Sequence, residues 1–171
     1  GGQAYSTALR HSTAILHFTA TEARSSTMLN WLLRRGERLE IVAVGAHMSG
    51  LPLNHQLLEL GGRLVKACST APVYQLYSLG PRPALVRMSD VSSARAYKVE
   101  VWSLPIRNIG KFLRDGVRAP LCLGDVLLED GTTRKGFLGE IYAVQQPTDA
   151  VDISHFAGWR AYVLSKQASG S

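Results

Sequence analysis

The residues able to move a proton or grip an anion gather around one short turn, Gly45-Ala46-His47-Met48-Ser49-Gly50-Leu51-Pro52-Leu53-Asn54. His47 is the one side chain there that exchanges a proton near neutral pH. A glycine turn after an apolar strand presents backbone N–H groups beside short polar side chains such as Ser49, and such a nest can hold a carboxylate. An ordinary structural or exposed histidine is the competing reading. Glu100 and Glu140 are further candidates. Each lies in a β-like run and is followed two positions later by an aromatic residue, Trp102 or Tyr142, so strand alternation puts carboxylate and ring on one face. A carboxylate on an otherwise apolar face is costly unless paired. The alternatives are a solvent-facing glutamate or a pairing with Lys98, Lys135 or Arg160. Arg160, next to Trp159, can offer a carboxylate a two-pronged guanidinium, or it is a surface arginine beside a core tryptophan.

Other chemistries lack their signatures. The five histidines are dispersed, with no i, i+4 pair near a third ligand, so no metal is expected. There is no phosphate-binding P-loop, no GxGxxG and no Gly-x-Ser-x-Gly elbow, nor the Ser- and Gly-rich signature of an amidase nucleophile. No cofactor is expected. Cys68 and Cys122 form neither a disulfide framework nor a metal pattern, which fits a reduced, cytoplasmic setting. A net charge of +6 from 19 Lys and Arg against 13 Asp and Glu favours a small anionic partner. The one basic cluster, Arg34-Arg35 with Arg38, has no interleaved aromatic residues, so nucleic acid is not expected. Neither a membrane span nor a signal peptide is read from the sequence.

The elements that must position these residues follow from periodicity. Ile41-Val42-Ala43-Val44 is a short buried strand ending at the turn. Asn54 is expected to cap a helix over His55–Leu60 that Gly61 stops. Strands are expected over 63–70, 73–79, 84–88 and 97–104. A helix is expected from Pro105 to about Asp115, burying Ile109, Phe112 and Leu113 and ending at Gly116. Two further strands, 119–128 and 133–144, are joined at Glu129-Asp130-Gly131. Residues 154–163 form the last ordered segment. Residues 1–36 read as a flexible arm with a short helix over 27–35, residues 37–166 as the domain, and 167–171 as a flexible tail. Many strands, few helices and no βαβ alternation argue for α+β with a largely closed sheet.

The Ile41–Asn54 segment resembles the start of the C-terminal domain of allophanate hydrolases. The resemblance continues through Thr70-Ala71-Pro72-Val73-Tyr74-Gln75-Leu76-Tyr77, Tyr97–Pro105, Lys135–Ala143 and Ile153–Tyr162, together about residues 39–163. It implies a gamma-glutamylcyclotransferase-like fold, a small mixed β-barrel with peripheral helices. It also implies a role after an amidase domain in urea and allophanate breakdown, promoting decarboxylation of N-carboxycarbamate. The glutamate base of the cyclotransferases has no counterpart where this chain reads Phe112-Leu113-Arg114-Asp115-Gly116-Val117. On this reading His47 is the proton donor. Gly45, Ala46, Ser49, Gly50 and Leu51 line the pocket, Arg160 or Lys135 holds the substrate, and Tyr74, Glu100 and Glu140 shape it. Two alternatives stand beside it: a non-catalytic docking or assembly module for an amidase domain or subunit, as a homodimer or otherwise, and a cyclotransferase-like enzyme on another small amide.

Overall fold

The computed structural model describes residues 36–145 and 149–169. The chain divides into two units, Gly1–Glu37 and Arg38–Ser171. The helix expected over 27–35 lies outside the described residues. In the second unit β1 (Arg38–Ala43) leads through the turn to α1 (Asn54–Glu59), then β2 (Arg63–Ser69), β3 (Tyr74–Ser78), β4 (Pro83–Arg87) and β5 (Lys98–Pro105). There follow α2 (Ile106–Gly116), β6 (Leu121–Leu127), β7 (Thr133–Gly139), α3 (Tyr142–Gln145), β8 (Val151–Asp152) and α4 (Trp159–Ser169).

The strands make a five-stranded sheet in the order β2-β5-β1-β7-β6 and a three-stranded sheet in the order β4-β3-β8. β1 is central, antiparallel to β5 and parallel to β7. Its Ile41, Val42 and Ala43 are all buried, as an apolar run without polar alternation requires. The α+β architecture agrees with the sequence. No closed barrel is found among the described strands: β2 and β6 remain edges, joined by a single bridge between Thr70 and Leu128.

The core runs through both sheets. Leu57, Leu76, Leu104, Val101 and Val126 are essentially inaccessible, and each such side chain contributes about 1.5–3 kcal/mol relative to leaving it in water. The sheets meet tightly at Gly139, where a Cβ would lie 2.6 Å from the Cβ of Ala84. Gly61, at φ 75°, ends α1. The amides of Gly61 and Gly62 return to the carbonyls of Leu58 and Leu57, at 2.9 and 2.7 Å, satisfying carbonyls that the helix leaves open.

Two local expectations are corrected. Asn54 does not cap α1; it is the first helical residue, with Leu53 in the capping position. Its Nδ2 instead donates to the carbonyl of His47 at 2.9 Å, bracing the turn. The strand expected to reach residue 144 stops at Gly139, and the chain turns into α3. Glu140 and Tyr142 therefore do not share a strand face; the Glu140 amide bonds the carbonyl of Pro120 and the Glu140 side chain is exposed. At the C-terminal end, α4 continues through Ser169.

Candidate functional site

The turn is held by its own backbone. The amide of Met48 donates to the carbonyl of Gly45, that of Leu51 to Met48 and that of Leu53 to Ala46, all near 3 Å. Gly45 is required by a close approach, since a Cβ there would collide with the ring of Pro83 at the start of β4. That packing brings the Arg82-Pro83 loop against the turn.

His47 and Ser49, two residues apart, look to different places. His47 is only 9% exposed. Its ring meets Phe112 edge-on at 5.2 Å and tilts against Phe137 at 6.2 Å. Burial pushes its imidazole below the ordinary value of 6.5, with the hydrogen bond to Gln56 opposing the shift and nearby His55 adding to it. Nε2 lies 3.0 Å from Oε1 of Gln56; with the oxygen so assigned, Nε2 carries the proton. The histidine lines a narrow cavity of about 60 Å3 with Gly45, Ala46, Trp102, Phe112, Phe137 and Arg82. Among the described residues no acidic side chain lines it. Among the described residues no acceptor receives the amides of Ala46 and His47, and no partner holds the guanidinium of Arg82. Amides without acceptors beside a basic side chain are donors that an anion can accept from.

Ser49 faces Glu100. Both its amide, at 2.7 Å, and its hydroxyl, at 3.0 Å, donate to Oε2 of Glu100, which also accepts from Nε1 of Trp102 at 3.0 Å. Nη2 of Arg160 reaches Oε1 of Glu100 at 3.3 Å and the carbonyl of Ser49 at 2.7 Å. Glu100 is 7% exposed. Four donors meet this buried carboxylate, so its acceptor capacity is taken up within the protein. This group borders a larger cavity of about 420 Å3, lined in part by Met48, Lys98, Val99, Glu129 and Leu164. The larger hollow is thus not the one beside the histidine.

The other expected residues are dispersed. Gly50 is exposed at the tip of the turn, at φ 72°, and Leu51 borders a separate surface hollow with Pro52, Trp159 and Tyr162. Tyr74 is wholly buried, and its Oη accepts from the amide of Leu127 at 2.8 Å, tying β3 to β6. Lys135 pairs with Asp125 on the β6–β7 ladder, 2.8 Å apart and largely in solvent. Neither it nor Glu140 lines the two cavities beside the turn. Arg82 was not singled out by the sequence. Its one local signal is the bracket Pro81-Arg82-Pro83, which stiffens a loop; the packing of Pro83 on Gly45 is a long-range fact. No group of three or more potential metal ligands occurs among the described residues.

Residues 39–164 match the allophanate hydrolase C-terminal domain family. This chain belongs to that family. It is 36% identical over 138 residues to the urea amidolyase of Saccharomyces cerevisiae, covering 77% of this chain and 7% of that one. Against the allophanate hydrolase of Kluyveromyces lactis the TM-score is 0.70 at 33% identity, covering 77% of this chain and 22% of the other. A uropathogenic E. coli-specific protein superposes with a TM-score of 0.66 at 27% identity, over 74% of this chain and 96% of that protein. This family domain is therefore a small part of long chains in the yeast relatives, spanning 7% of each curated relative, and nearly all of the bacterial one.

Proposed function

We propose that this allophanate hydrolase C-terminal-like domain binds a small carboxylated urea or carbamate derivative in the His47 cavity. There it promotes decarboxylation of N-carboxycarbamate in urea and allophanate breakdown. One observation carries the reading: His47 and Arg82 line a narrow cavity with no acidic lining side chain among the described residues, and the amides of its lining residues Ala46 and His47 have no acceptor among them. Loss of carbon dioxide breaks a C–N bond and requires a proton on the nitrogen. Burial favours neutral imidazole at His47 because it disfavours the charged form. A bound dianion opposes that effect and favours imidazolium, so substrate binding itself arms His47 as the acid. Arg82 and the amides hold the carboxylates. Arg160 and Glu100 act behind the turn, fixing Ser49. The bridge between Thr70 and Leu128 supports reading the fold as a partly closed form of the gamma-glutamylcyclotransferase-like barrel.

The test supplies the purified chain with N-carboxycarbamate made in place from allophanate by a separate amidase, and follows release of carbon dioxide. Positioned acid catalysis contributes about 10²–10⁴-fold, so His47→Ala is expected to bring the rate down by that factor. Release unchanged in both His47→Ala and Arg82→Ala overturns the proposal. The placement of this domain inside longer yeast enzymes favours a second reading, a docking module for an amidase. It predicts no turnover and a stable complex by light scattering.

A further inference from the structure

We propose that the larger cavity, between β5 and α4, is a second binding site that takes an organic monocarboxylate with a short apolar body. It is independent of the His47 cavity and of any reaction there. Three features make it attractive to a carboxylate. Arg160, in the first turn of α4, is fastened by Nη2 alone to Ser49 and Glu100. Its Nε and Nη1 have no partner among the described residues; they sit on opposite edges of the guanidinium, so each offers a single charge-assisted donor to one carboxylate oxygen. Lys98 lines the same hollow, its Nζ held by the hydroxyl of Ser69 at 3.0 Å. The start of α4 also borders it: Gly158, Arg160 and Ala161 are lining residues. The amides of Trp159, Arg160 and Ala161 precede the first helical bond, from Tyr162 to Gly158, and find no acceptor among the described residues. Unsatisfied amides at a helix N-terminus favour an anion.

The remaining wall sets the class of anion. Met48, Ala67, Val99, Ala161 and Leu164 give it an apolar face, and a hydrated inorganic ion gains nothing from such a surface. Glu100 and Glu129 balance the formal charges of Lys98 and Arg160. A doubly charged ion would meet two carboxylates as well as two cations, so single charge is favoured. Cys68 borders the cavity too. Burial pushes its thiol up, so it lines the wall as a small apolar group and not as a thiolate.

The probe is sodium butyrate, titrated into the full chain while backbone amide chemical shifts are followed, with inorganic phosphate as the comparison. Butyrate is expected to shift the amides of Gly158–Ala161 saturably and phosphate to leave them nearly unmoved. Ala161→Phe, which fills the cavity, and Arg160→Gln, which removes the cation, are each expected to weaken binding by at least about tenfold, or 1.4 kcal/mol. Arg82→Ala is expected to leave it unchanged. Spectral dispersion checks that each variant is folded, and either variant alone suffices for the test. The proposal is overturned by an absence of saturable shifts, by phosphate matching butyrate, or by shifts that centre on Ala46 and His47 and vanish in Arg82→Ala.

Discussion

The two sides of the Gly45–Asn54 turn use the same few residue types to opposite ends. On one side His47 and Arg82 border a narrow cavity where, among the described residues, no carboxylate opposes them and two backbone amides lack acceptors. On the other, Glu100 gathers four donors and satisfies Ser49, Trp102 and part of Arg160. The first side is polar and has donors that no described residue accepts from. The second is polar and closed, and it fixes the backbone that the first depends on. A titratable group in a motif is thus not informative by type alone; what matters is whether its partners are already in the protein.

The sharpest way to break this contrast is kinetic. His47→Ala and Arg82→Ala should bring carbon dioxide release down by about 10²–10⁴, and Arg82→Ala should leave the urea midpoint nearly unchanged. Glu100 should behave in the reverse manner. Glu100→Leu strands the amide of Ser49 and the indole N–H of Trp102, and each buried unsatisfied donor costs about 1–3 kcal/mol, read as a lower urea midpoint. A Glu100→Leu variant as stable as the parent would show that the closed side does not hold the turn. Acidification gives a smaller effect. Because burial lowers the pKa of His47 in the folded state, the unfolded chain binds more protons below the ordinary value of 6.5. The contribution of His47 is therefore complete above 6.5 and is lost as pH falls toward the lowered folded value. Urea unfolding of the parent at descending pH should show that loss, and His47→Gln should flatten it. Smallest of all, Lys135→Ala and Glu140→Ala should move stability by no more than about 0.5 kcal/mol and leave turnover alone, as expected for exposed side chains.

The same contrast marks what could be read from the chain. The pairing of Glu100 with Trp102 followed from alternation, because β5 remains a regular strand through both residues. An identical spacing misled at Glu140 and Tyr142. There Gly139 lies against Ala84 of the other sheet and the chain leaves the strand at once, a constraint set by a residue more than a strand away. Asn54 has the composition of a helix cap, but a nearer carbonyl, that of His47, takes its side chain. Arg82 stayed hidden because its place depends on Pro83 meeting Gly45. The central strand, the turn and α2 were legible because hydrophobic period and glycine placement act locally.

The parallel alignment of β1 with β7 couples Ile41 to Lys135 and Val42 to Gly136. The strand that launches the Gly45–Asn54 turn therefore waits, during synthesis, for a partner made near the end of the domain. Contacts of such long separation form late and slowly. The His47 cavity, whose wall includes Phe137 from that partner, should be among the last parts of the molecule to acquire its shape on the ribosome.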